Sequence, residues 1–124
     1  TVKAVVLMTD GGNHLGYLDN MNKSYYTAYG YIATQVQTGR LNTTSQYGAH
    51  QELNARTDEV CDNIKDKGII IFTVSFDLNS SSIKKMLKDC ASDADKFYDA
   101  ENANELKLAF KNIGAELGEL RLSK

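Results

Sequence analysis

The chain has 124 residues, a formal net charge of -2, 42% hydrophobic and 24% charged residues. That is enough for one small domain and gives no broad basic surface, so nucleic acid is excluded as a partner class. The longest apolar run, Ile69-Ile70-Ile71-Phe72, is far too short to span a bilayer, so no membrane contact is expected of this segment.

Val2 to Thr9 is a nearly continuous apolar run closed by Asp10-Gly11-Gly12. Such a run predicts a strand buried on both faces of a parallel sheet, with a sharp turn at its carboxyl end. The run starts directly after Thr1, which reads as a fragment whose preceding part is missing. Residues 13–50 form an insertion rich in Tyr, Asn, Thr, Gln and Gly. Within it Tyr25, Tyr29, Ile32 and Val36 fall near helical spacing, with Gly39 placed to end a helix. The remainder reads as a long loop, and loops of that length are usually functional or mobile.

Regular alternation follows. Gln51 to Lys67 predicts a helix with the stripe Leu53, Thr57, Val60, Cys61 and Ile64, stopped at Gly68. Ile69 to Phe76 predicts a second buried strand. Asp77 and Ser80-Ser81-Ser82 offer N-caps for a helix carrying Ile83, Met86, Leu87 and Cys90. Lys96 to Ala100 predicts a short third strand. Asn102, with Glu105 three residues on, opens a last helix through Leu106, Ala109, Phe110, Ile113, Leu117 and Leu120. This order predicts an α/β fold, a partial doubly wound, Rossmann-like parallel sheet of about three strands with flanking helices. If the strands lie adjacent and in order, two crossover helices share one face and the last helix takes the other.

Asp10 is the sharpest single position, because ligands of open α/β sheets bind beyond the carboxyl ends of the strands. A carboxylate there either holds a hard cation or caps the turn. Asp77, after the second strand, is the one other carboxylate placed to join it. Cys61 and Cys90 each close an apolar stripe on one of the two neighbouring helices. They form a disulfide if their Cα atoms come within about 7 Å, and otherwise serve as small buried hydrophobes. A bridge would contribute about 3–4 kcal/mol and require an oxidising compartment. No catalytic residue is read: His14 and His50 lie in the insertion, and the serines lack a nucleophile elbow. Gly11-Gly12 is no phosphate loop. Tyr25, Tyr26 and Tyr29, set among small polar residues, read either as a partner-binding surface or as cover for the sheet. Asn22-Lys23-Ser24 and Asn42-Thr43-Thr44 match glycosylation sequons.

The segment V-V-L-M-T-D-G-G resembles the strand and turn carrying the third motif of the metal-ion-dependent adhesion site in von Willebrand factor A domains. G-I-I-I-F-T-V-S-F resembles the family's fifth strand, and 102–120 its closing helix. These segments, with T-D-E-V-C-D-N-I-K-D-K-G, L-K-D-C-A-S and E-L-K-L-A-F-K-N-I-G-A-E-L-G-E-L-R-L-S, are similar to the end of TadE/TadG-like Tad pilus-assembly proteins. The resemblance covers nearly the whole chain except 13–48. It implies that 1–124 is the C-terminal part of one A-type domain, with Asp10 the remnant of an incomplete metal site. The earlier Asp-x-Ser-x-Ser motif has no counterpart here. No cofactor is implied for this segment, and Mg or Ca only for a complete parent domain. The implied function is a non-enzymatic protein-binding or assembly module, contacting a pilus or surface component at the carboxyl end of the sheet. The implied location is the periplasm or cell surface, with the parent anchored in the bacterial inner membrane. The rival reading is a small Mg-dependent phosphohydrolase-like enzyme using Asp10 and Asp77. An apolar first strand without a neighbour is an association hazard. Residues 2–7 are therefore expected to pair with another chain, as in a homo-oligomer, or to be shielded by the insertion.

Overall fold

A computed structural model describes residues 2–15, 24–33 and 38–122. Thr1, Asn22, Lys23 and Val36, named above, lie outside them. The elements in chain order are β1 (Ala4–Thr9), β2 (Tyr26–Thr27), β3 (Gly30–Tyr31), α1 (Gln46–Asp66), β4 (Ile70–Phe76), α2 (Ser81–Cys90), a 3-10 turn (Ala94–Lys96), β5 (Phe97–Ala100) and α3 (Ala103–Leu122). They belong to two compact units: unit 1 is Thr1–Gly12 with Asp58–Lys124, and unit 2 is Asn13–Thr57. Helix α1 begins in unit 2 and ends in unit 1.

Unit 1 is an α/β layer structure on a parallel sheet of order β1-β4-β5. Thr9 stands opposite Ser75, and Ser75 opposite Asp99. The side-chain period of two sorts β4 between two cores. Phe72 and Val74 pack with Ala109 and Ile113 of α3 on one face. Ile71 packs with Cys61 and Cys90 on the other, with Leu7 and Ile64 beside them. The two crossover helices thus share a face, and α3 takes the opposite one, as the element order predicts. Phe72 and Val74 have no exposed surface, and each buried side chain of this size stabilises by about 1.5–3 kcal/mol.

Polar groups inside this unit are satisfied locally. Thr73 Oγ1 donates to the Leu87 carbonyl at 2.8 Å, tying β4 to α2. β5 begins only opposite Thr73, so on that side of β4 Ile71 has no strand partner among the described residues. Ser92 fills that role: its Oγ accepts from Ile71 N at 2.8 Å, and its own N–H donates to Ile71 O at 3.0 Å. The helix ends follow the capping chemistry read from sequence. Ser80 Oγ accepts from Ile83 N. Asn102 Oδ1 accepts from Asn104 N and Glu105 N, while Glu105 Oε2 accepts from Glu101 N. At the end of α1, Gly68 N donates to Lys65 O and Ile69 N to Ile64 O, the paired bonds that close a helix at Gly.

Three expectations need correction. β1 is not buried on both faces: it is an edge strand, and Val5, Val6 and Met8 are 39%, 39% and 48% exposed. The cause is lateral, since α3 packs on β4 and β5 and no described strand lies beyond β1. α1 starts at Gln46 instead of Gln51, because Ser45 Oγ accepts from Gly48 N and caps the helix earlier. Val60 and Phe110, assigned to apolar stripes, are exposed, each lying off the arc of its helix that meets the sheet.

Candidate functional site

The helix expected around Tyr25 to Val36 is, over the described residues, an antiparallel hairpin. Tyr26 pairs with Tyr31 and Thr27 with Gly30, around a turn at Ala28-Tyr29. Thr27 fixes the turn with its side chain: Oγ1 donates to Gly30 O and accepts from Tyr29 N, both at 3.0 Å. Gly30 follows at φ +91°, a backbone state that L side chains rarely adopt. Ile32 N donates to Tyr25 O, and Ser24 Oγ accepts from Ala33 N, extending the pairing at the open end.

A small core holds the hairpin. Ile32 is buried with Leu15, Leu41 and Ala49, and Tyr25 and Leu53 pack against them. Gly39 N donates to Ile32 O. A β-carbon at Gly39 would fall 1.9 Å from the Tyr31 carbonyl oxygen, so only glycine allows this approach.

The tyrosines therefore divide. Tyr25 is a half-buried packing residue of the unit's core. Tyr26 and Tyr29 are 51% and 38% exposed, yet both are held in place. Tyr26 meets Tyr31 edge-to-face, with centroids 4.9 Å apart and ring planes at 70°. The Arg56 guanidinium lies 4.5 Å from the Tyr29 ring centroid. Arg56 is itself pinned, Nε to Glu52 Oε1 at 3.0 Å and Nη2 to Arg40 O at 2.7 Å. Glu52 chiefly raises the guanidinium pKa further above its ordinary value, so the cation is permanent. Aromatic rings fixed before contact lose little entropy on binding, which is the property of interface anchors. Sequence reasoning missed Arg56. Its one signal was the Glu52–Arg56 spacing of four on a helix.

At the carboxyl end of the sheet Asp10 is exposed in the turn after β1. Thr9, the last residue of β1, pairs with Ser75, two residues before Asp77. Thr9 Oγ1 is committed to the turn, donating to Gly11 O and accepting from Gly11 N. Asp77 takes a left-handed backbone, φ +48°, and its N–H donates to Ala100 O. Among the described residues no group of three or more His, Cys, Asp or Glu could hold a metal ion. His14 is exposed and His50 half-buried in α1.

Ser75 is fully buried and donates to Asp99 Oδ1 at 2.6 Å, while Lys84 Nζ binds Asp99 Oδ2 at 2.7 Å. Lys84 and then Ser75 hold the Asp99 carboxyl below its ordinary pKa. The trio ties β4, β5 and α2 together, and its hydroxyl is not accessible for nucleophilic work. Cys61 and Cys90 form a disulfide, with Cα atoms 5.2 Å apart. No helix among the described residues is long and apolar enough to cross a membrane. Compared with known proteins, the chain gives no significant match to any family model, curated protein or solved structure.

Proposed function

We propose that this chain is a non-enzymatic protein-recognition module whose contact surface is the Tyr26–Tyr31 hairpin. The observation that carries the reading is the pair Tyr26 and Tyr29, exposed and yet held by Tyr31 and Arg56. Large, rigid aromatic surface beside a fixed arginine is what protein interfaces use for anchoring. Unit 1 serves as the scaffold. Its three parallel strands in chain order support the resemblance to the C-terminal half of a von Willebrand factor A domain. Within that reading the partner is a pilus or surface component of a Tad-like assembly system. The disulfide favours an oxidising location, the periplasm or cell surface, with a membrane-anchored parent. A cation belongs only to a complete parent domain.

The test compares retention of surface-fraction proteins on the immobilised chain with that on a Tyr26→Ser/Tyr29→Ser variant. Loss of two anchors lowers affinity by at least about tenfold while the melting temperature stays within a few degrees. Equal retention by both proteins sinks the hairpin as the contact surface. Micromolar magnesium binding with phosphatase activity abolished by Asp10→Asn would favour the rival enzyme reading instead.

A further inference from the structure

The two edges of the sheet are unlike. β5 has four residues, is flanked by Lys96 and carries Asp99. Lys96 Nζ binds Glu116 at 3.0 Å, Asp93 at 3.3 Å and Asp95 at 3.4 Å. Charges of this kind at an edge discourage strand addition. β1 has six residues, A-V-V-L-M-T, with no charge among them, and Val5, Val6 and Met8 are exposed.

Among the described residues no strand pairs with the outer side of β1. Lys3 O accepts from Ile70 N, so the odd-numbered residues direct their backbone groups toward β4. The N–H and C=O groups of Ala4, Val6 and Met8 then point away from the sheet, toward its free side. On the α3 face Val6 and Met8 are left uncovered. Phe110, 44% exposed, lies on the flank of α3 opposite Leu108, and Leu108 lines a shallow pocket along β5 with Tyr98 and Ala100. Phe110 is therefore on the side nearer β1.

We propose that β1 pairs antiparallel with β1 of a second copy of this chain, about a two-fold axis perpendicular to the sheet. Charge selects this occupant. Lys3 precedes the strand and Asp10 ends it, so reversing a second copy sets a cation near a carboxylate at both ends. A parallel copy would set like charges together. The symmetry also fixes parity. Residues directly opposite in an antiparallel pair share a face, so centring on Leu7 sets Val6 of each copy against Met8 of the other. Both belong to the even set with outward backbone groups, so they form hydrogen-bonded pairs. Because the contact is isologous it closes as a dimer and does not propagate. The β1 dimer is a property of this chain by itself and does not rest on the aromatic hairpin; in a complete A-type domain an upstream strand would take the same edge.

Sedimentation equilibrium of the intact, oxidised chain from about 1 µM to 1 mM tests it. The wild type is dimeric at the upper end. Lys3→Glu weakens the dimer by about tenfold at low salt, Asp10→Lys does the same, and the double variant Lys3→Glu/Asp10→Lys regains it. Val6→Lys, at an already exposed position, weakens it by at least about a hundredfold with an unchanged far-ultraviolet spectrum. A monomer throughout the range, open-ended oligomers, or a dimer indifferent to Val6→Lys and to the charge reversals would each overturn the proposal.

Discussion

Unit 1 surrounds a central strand with two cores. Phe72 and Val74 face α3, Ile71 faces the disulfide, and Ser92 and Thr73 satisfy the polar groups between layers. Unit 2 has one small cluster of Leu15, Ile32, Leu41 and Ala49, and strands of two residues each. It compensates with close local devices: the Thr27 side-chain bonds, the Gly39 approach and the Arg56 anchor. The difference teaches where exposed surface costs least. A unit held by a few exact contacts can display Tyr26 and Tyr29 while a sturdier neighbour in the chain carries the fold. Loops positioned by a rigid scaffold carry binding residues for the same reason.

The largest effect is expected from the bridge in unit 1. Replacing Cys61 and Cys90 by Ala opens a covalent link with a sequence separation of 29 and costs about 3–4 kcal/mol in the chain-entropy model. Denaturant unfolding should show the loss as a lower midpoint. Hydrogen exchange should locate it in β4 and α2, with the Tyr26–Tyr31 hairpin spared. Matching loss of protection in both units would mean that they do not differ as described.

A smaller change should reverse the pattern. Gly39→Ala drives a methyl group into the Tyr31 carbonyl and should cost about 1–3 kcal/mol, the range for overpacking. The increase in exchange should appear at Ile32 and the hairpin, while the β4 amides stay protected. Unchanged hairpin protection would remove Gly39 as its support.

The smallest effect concerns pH. The Asp99 carboxyl is lowered by Lys84 and Ser75. Its contribution is therefore present above the unfolded aspartate value of about 4 and is lost as pH falls through the lower folded value. The side chain is partly exposed, so the contribution should be below about 1 kcal/mol. Asp99→Asn should lower stability at pH 7 and flatten the loss below pH 4, as measured by urea unfolding across pH. An identical acid slope in the variant would assign the loss to other carboxylates.

The legibility of the two units follows the same division. In unit 1 the strands and helices are long enough for periodicity to show, and Ser80, Asn102 with Glu105, and Gly68 announce their helix ends. What sequence missed there is lateral: nothing in A-V-V-L-M-T says whether a strand has one neighbour or two. In unit 2, strands of two residues leave no alternation to read. Tyr25, Tyr29 and Ile32 fall by accident at helical spacing. The deciding signals were Thr27 and Gly30, a side-chain-bonded turn closed by a positive-φ glycine. The site was half legible. The tyrosine cluster stood out in the sequence, but the burial of Tyr25 and the arrival of Arg56 from α1 depend on tertiary packing.

The most direct measurement is photocrosslinking from a benzophenone amino acid placed at Tyr29, and separately at Leu108 on the exposed flank of α3, in cells making the parent protein. Recognition through the hairpin predicts one discrete protein adduct from position 29, lost on adding Tyr26→Ser, and none from position 108. Equal adducts from both positions, or none from position 29, would contradict it.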